Sequence, residues 1–131
     1  LIIDFGTATT FNLVSADGAF LGGAIAPTME IASESLVRTT AQLFKVELEA
    51  SQSVIGKDTA ENLQAGIVLG FIDLISGLIK RFQNESPEKL TVVATGGRGR
   101  FFKEHILAIE HYDEHLALKG LHYAWQERQN R

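Results

Sequence analysis

Apolar and polar residues alternate in short runs over the first quarter of the chain and then recur at helical spacing. Leu1-Ile2-Ile3 is a brief apolar run ending in Asp4, and Phe11-Asn12-Leu13-Val14 resumes the pattern after a polar turn. Residues 1–4 and about 9–15 therefore read as the strands of a hairpin. Ser15-Ala16-Asp17-Gly18 supplies the next turn, and residues 19–26 read as a third strand closed by Pro27. Gly22-Gly23 inside that strand predicts a bulge or a close backbone approach. Apolar positions 29, 32, 36, 37, 41 and 43 predict a helix over 29–43, followed by an extended connection over 44–54.

A longer helix is predicted from about 59 to 84. Leu63, Ile67, Phe71, Leu74, Ile75, Leu78, Ile79 and Phe82 form the wide stripe of a core helix. Gly66, Gly70 and Gly77 lower its propensity and predict close packing against another element. At its start, Thr59 with Asn62 is not a capping box, whereas Asp58 with Glu61 nearly reproduces one. Asn84-Glu85-Ser86-Pro87 ends the helix. Residues 90–95 read as a strand, 97–104 as a short helix and 106–111 as a final strand. Asp113 is expected to cap a last helix reaching about 128, with Tyr123 and Trp125 as core or dimer anchors. The order is βββαβαβα, an α/β fold with a mixed sheet flanked by helices.

Bulk composition narrows the possibilities. The chain has 131 residues, which predicts a single domain, and 45% of them are hydrophobic and 21% charged. A net charge of −4 argues against a general nucleic-acid binder. Arg98, Arg100 and Lys103 form a local basic run, which a solvated helix start explains more simply than a phosphate contact. There are no cysteines, so disulfides and thiolate metal sites are excluded and a cytoplasmic setting is expected. No uninterrupted apolar run reaches the ~18 residues of a membrane span, and no signal-peptide layout is present, so no membrane partner is expected. His111 and His115 are four apart, but no HExxH context surrounds them and satisfied or solvated histidines are the better reading. The chain begins at Leu1 within a buried-strand pattern, and the expectation is a piece of a longer polypeptide.

The strongest chemical signal is Asp4-Phe5-Gly6-Thr7-Ala8-Thr9-Thr10. A glycine lets backbone approach a ligand, successive turn N–H groups can form an anion-binding concavity, and threonine hydroxyls add donors. Asp4 at the strand end is placed to hold a cation that neutralises phosphate charge. A polar hairpin turn with no ligand has the same residues. A second signal is Thr95-Gly96-Gly97, directly after the β-rich run Leu90-Thr91-Val92-Val93-Ala94. A strand running into paired glycines and a helix is how α/β folds let backbone approach a nucleotide, although this turn lacks the GxGxxG spacing.

Three strands in meander followed by alternating helices and strands resemble the RNase-H-like half-unit of the actin, Hsp70 and sugar-kinase superfamily. The residues resemble one family within it more closely. Asp4 to Thr10, Leu21-Gly22-Gly23-Ala24-Ile25-Ala26-Pro27, Val54-Ile55-Gly56-Lys57-Asp58-Thr59, Ala94-Thr95-Gly96-Gly97 and Leu118-Lys119-Gly120-Leu121 follow the order seen in type III pantothenate kinases. The resemblance implies the carboxy-terminal, nucleotide-binding domain of a two-domain kinase, with the amino-terminal domain absent. The implied activity is ATP-dependent phosphorylation of pantothenate to 4'-phosphopantothenate, the first step of coenzyme A synthesis. By the same resemblance, Asp4 is a monovalent-cation ligand for potassium or ammonium, and Gly6 and Thr7 contact ATP phosphate. Thr95, Gly96 and Gly97 form the adenosine motif, Thr59 contacts pantothenate, Mg²⁺ accompanies ATP, and the protein is a homodimer.

Thr28 and Asp58 depart from the family's usual glycine and asparagine, and the Gly-x-Asp-Arg motif that carries the general base is absent. No catalytic base is therefore expected in this chain. Two other readings stand beside the kinase. One is a non-catalytic transcription-accessory regulator on the same fold, like the Bvg accessory factor. The other is a different small-molecule kinase of the superfamily. For Thr59 a helix N-cap is an alternative to substrate contact.

Overall fold

The computed structural model describes residues 1–130. Its secondary structure begins with strands β1 (Ile2–Phe5), β2 (Thr9–Val14) and β3 (Phe20–Ala26). Helix α1 (Met29–Thr39) follows, then α2 (Thr59–Gln64), which continues through a π-helical turn (Ala65–Leu69) into α3 (Gly70–Glu85). Strand β4 (Val93–Thr95), helix α4 (Gly99–His105), strand β5 (His111–Tyr112) and helix α5 (Leu116–Gln129) complete it. The chain divides into two compact units, Leu1–Ile25 with residues 90–130, and Ala26–Lys89.

The first unit holds the sheet, in strand order β3-β2-β1-β4-β5. β1 and β2 pair antiparallel with Asp4 opposite Thr10 and Phe5 opposite Thr9, so Gly6, Thr7 and Ala8 form the turn. β1 pairs parallel with β4, and β4 parallel with β5. Strand alternation sends Ile3, Phe5, Phe11 and Ala94 to a buried face. There Phe102 of α4 stacks on Phe5 with ring centroids 4.3 Å apart, worth about 0.5–1.5 kcal/mol beyond area burial. Gly23 explains how β3 joins: a Cβ there would lie 1.9 Å from the Phe11 carbonyl oxygen. The expected close approach at Gly22-Gly23 is real, and Gly22 has a φ of 129° that a side chain would resist.

In the second unit Ala65, Ile67, Val68, Phe71, Ile75 and Ile79 are buried along the long helix. α1, with Met29 and Ser33 buried, packs against the π-helical turn. The 27-residue run Thr59–Glu85 is long and apolar enough to cross a membrane by length and composition. Core helices pass the same test, and this one keeps a buried stripe.

Several elements differ from expectation. α1 ends at Thr39 rather than 43, where the Thr40 hydroxyl donates to the Leu36 carbonyl. β4 is only three residues, because Ile2, Ile3 and Asp4 are the positions β1 offers it. The strand expected over 106–111 is mostly a turn, with Ile109 N–H donating to the Ile106 carbonyl and both side chains buried; β5 is His111–Tyr112. Asp113 does not cap α5, which starts at Leu116 after His115, although its carboxylate accepts the His115 N–H at 3.0 Å. Tyr123 and Trp125 are exposed, not core, and α5 has no buried residue. A Cβ at Gly66, Gly70 or Gly77 would meet nothing within 4 Å, so these glycines do not mark close packing. With α1 and the long helix counted apart, the order is βββααβαβα rather than βββαβαβα.

Candidate functional site

The parallel pairing of β1 with β4 places Asp4 opposite Thr95. The two turns singled out in the sequence, Gly6-Thr7 and Gly96-Gly97, therefore leave the carboxyl ends of adjacent parallel strands. That edge is where open α/β sheets bind ligands. Gly96 has φ 85°, a conformation that favours glycine. A Cβ there would lie 2.6 Å from Asp4 Oδ1 and 2.7 Å from the Phe5 carbonyl carbon and oxygen. At Gly6 a Cβ would meet Asp4 Oδ1 at 3.4 Å. The Asp4 carboxylate thus sits between two glycines whose missing side chains leave it room. Thr7, Gly6 and Gly97 are exposed, while Thr95 is buried.

Sequence reasoning missed Tyr112. Its hydroxyl donates to the Gly96 carbonyl at 3.4 Å, and its ring fills the space a Cβ on Gly99 would need, 2.6 Å away. The Arg100 guanidinium lies 5.4 Å from the ring centroid, a cation–π contact. Tyr112 therefore buttresses the glycine turn from below. Only the late β-strand placement, not its spacing, could have hinted at this.

A cavity of about 440 Å³ opens beside Asp4 and Thr95, with Ile2 and Asn12 from the sheet and Leu116, Lys119 and Tyr123 from α5 on its walls. Asn12 Nδ2 donates to Thr10 Oγ1 at 3.2 Å. Lys119 Nζ donates to Asp113 Oδ2 at 2.6 Å. That hydrogen bond, then the one from the His115 N–H, holds the partly buried Asp113 carboxyl below its ordinary range. Mostly apolar walls with a few polar groups are the make-up of a small-molecule site.

Thr59 belongs to the second unit and is exposed at the first position of α2. Asp58 is the N-cap: its Oδ1 accepts the Glu61 N–H at 2.8 Å, and Glu61 Oε2 accepts the Lys57 N–H at 2.7 Å. This is the near-capping box read in the sequence, shifted by one residue on the return bond. The cap is therefore aspartate, and the Thr59 hydroxyl is not needed for it.

The profile of type III pantothenate kinases matches residues 1–81. A type III pantothenate kinase of Maricaulis maris (strain MCS10) is 44% identical over 126 residues, 96% of this chain and 49% of that protein. One of Phenylobacterium zucineum (strain HLK1) is 43% identical over 129 residues, 98% of this chain and 50% of that protein. The chain spans about half the length of the curated relatives it matches. Among solved structures, a Campylobacter jejuni protein described as a Baf family transcriptional activator superposes with a TM-score of 0.69 at 25% identity, over 99% of this chain and 58% of that one. The profile covers more than half of the chain and includes the Asp4 hairpin, the Gly22-Gly23 strand and the Asp58-Thr59 helix start. The chain belongs to the type III pantothenate kinase family.

Proposed function

We propose that the protein of which this chain forms part phosphorylates pantothenate to 4'-phosphopantothenate at the expense of ATP, opening coenzyme A synthesis in the cytoplasm. The observation that carries the reading is the meeting of the Asp4 hairpin and the Thr95-Gly96-Gly97 turn at one sheet edge. Phosphoryl transfer asks mainly for positioning and charge neutralisation. Gly6 and Thr7 offer turn amides and a hydroxyl to phosphate, and Thr95, Gly96 and Gly97 give the adenosine moiety a side-chain-free approach. Asp4, set between Gly6 and Gly96, fits a singly charged cation such as potassium or ammonium better than a closed divalent cage, since it brings one carboxylate. Bound Mg²⁺–ATP supplies the transferable phosphoryl group and the neutralising divalent charge. Thr59 would donate to or accept from pantothenate. The general base would come from the part of the relatives' length that this chain does not span, and the working form would be a homodimer.

The transcription-regulator reading has a structural neighbour at 25% identity behind it, against kinases at 44%, and the kinase reading is the better supported. The deciding experiment is ATP-dependent turnover of pantothenate by the full-length protein, with other small alcohols as rival acceptors. Phosphorylation of another alcohol in preference to pantothenate, or none of any, overturns the proposal.

A further inference from the structure

Helix α5 divides the Leu118-Lys119-Gly120-Leu121 stretch between two opposite faces. At about 100° per residue, Leu116, Gly120 and Tyr123 fall within an arc of about 60°. All three line the cavity beside Asp4 and Thr95. Leu118, Leu121 and Trp125 fall within a second arc of about 60°, on the far side of the helix. These three are 65%, 68% and 59% exposed. The His122 ring stacks with Trp125, centroids 6.3 Å apart, and widens that surface.

The outer face has no partner within the described residues, and α5 needs one. The helix has 14 residues and none is buried. A helix of that length is marginal in water unless a face is packed. The bonds that tie it to the sheet gather at its start. The Asp113 N–H donates to the Ala94 carbonyl at 2.9 Å, and the Asp113 carboxylate accepts the His115 N–H and Lys119 Nζ. Leu121, His122 and Trp125 lie beyond them. Single exposed leucines are ordinary, whereas a contiguous apolar stripe marks an interaction surface. Large apolar residues at i, i+3 and i+7 are the anchors by which a helix seats against another body, and tryptophan is favoured among such anchors.

We propose that the Leu118, Leu121 and Trp125 face of α5 seats against the part of the same polypeptide that lies outside residues 1–131. Two arguments choose this occupant over a second copy of the chain. The kinase at 44% identity is matched over 49% of its length, so relatives carry about as much chain again as this one. A body of that size joined covalently to the chain is present at an effective concentration that a separate molecule does not match. The second argument is position. α5 is about 10 Å across, so a body on its outer face stands one helix away from the cavity at Asp4 and Thr95, within reach of the edge to which the general base must come. The second argument rests on the proposed kinase reading, and the first does not.

The test is made in the full-length protein by photo-crosslinking. Leu118, Leu121 and Trp125 are each replaced in turn by p-benzoylphenylalanine, and the adducts are mapped by peptide mass spectrometry. The expected result is an adduct at the protomer's own mass that joins α5 to sequence outside residues 1–131. Adducts chiefly at twice the protomer mass assign the face to a second copy and overturn the proposal. Adducts chiefly to residues 1–131, or none from any of the three positions, overturn it too. Leu121→Glu gives a second reading. It should lower Tm by about 5 °C or more if the face is covered, while Leu121→Met stays within about 2 °C of wild type. An unchanged melt for Leu121→Glu counts against a covered face, because an exposed position tolerates the charge. The mapped contact does not depend on turnover. A full-length protein that forms the expected adduct and phosphorylates nothing loses the pantothenate reading and keeps this surface.

Discussion

Gly96→Ala is the sharpest test of the site, because two separable costs meet there. The first is conformational. At φ 85° an alanine adopts a left-handed backbone, at about 1–2 kcal/mol. The second is steric. The new methyl would stand 2.6 Å from Asp4 Oδ1 and 2.7 Å from the Phe5 carbonyl. Carbon against carbonyl at that distance must be relieved by moving β1 from β4, and overpacking of this kind costs about 1–3 kcal/mol. The sum is about 2–5 kcal/mol, a fall in Tm on the order of 8–20 °C for a domain of this size. Two controls separate the costs. Gly18 has φ 87° with nothing within 4 Å, so Gly18→Ala carries the conformational cost alone. Gly97 has open space and no positive φ, so Gly97→Ala should be neutral or stabilising by about 0.4–1 kcal/mol. Denaturant melts of the three variants in the full-length protein give the ranking, and KM for ATP should rise for Gly96→Ala because the Asp4 carboxylate is displaced. If Gly96→Ala costs no more than Gly18→Ala, the two turns do not approach each other as described and the reasoning for a shared site fails.

Other predictions use the same site and its neighbours. Asp4→Asn in the full-length protein keeps the shape and removes the charge, so activity should fall and lose its response to potassium; wild-type rates with an intact potassium response would reduce Asp4 to a turn residue. Asp58→Ala should lower stability by about 1 kcal/mol, read by denaturant melts, while Thr59→Val should raise pantothenate KM with an unchanged melt. The 131-residue chain alone should show no pantothenate phosphorylation above a Thr7→Ala control, since the proposed base belongs to the part of the relatives' length that it does not span. Asp113 is held below its ordinary range by Lys119 and the His115 N–H, so its contribution is present above the unfolded carboxylate value and is lost as pH falls through the depressed one. Helicity of α5 followed by amide NMR should drop in that acidic window, and Asp113→Asn should remove the pH dependence.

What the sequence discloses here follows the range over which each interaction acts. The Asp4 hairpin is legible because its cause is local: apolar runs of strand length enclose a glycine and hydroxyl residues, and β1 and β2 are neighbours in the chain. The Asp58 cap is legible for the same reason, but only to within one residue, since Asp58 and Thr59 are both good caps and only the bond to the Glu61 N–H chooses between them. Strand lengths are less legible. Leu90 to Thr95 is uniformly strand-prone, yet β4 exists only where β1 supplies ladder partners. Ile106 and Ile109 are as buried as strand residues while sitting in a turn. The convergence of the two glycine turns depends on a pairing between residues some ninety positions apart, and periodicity carries no information about which strands become neighbours. The residues nevertheless anticipate it. Gly96 must be glycine both for its φ and for the approach of Phe5, and the second reason exists only once β1 lies beside β4. The apolar character of α5 misleads in the opposite direction. Tyr123 and Trp125 read as core or dimer anchors, but burial is a property of what lies opposite a helix, and in this chain they remain exposed, so the core half of that reading fails.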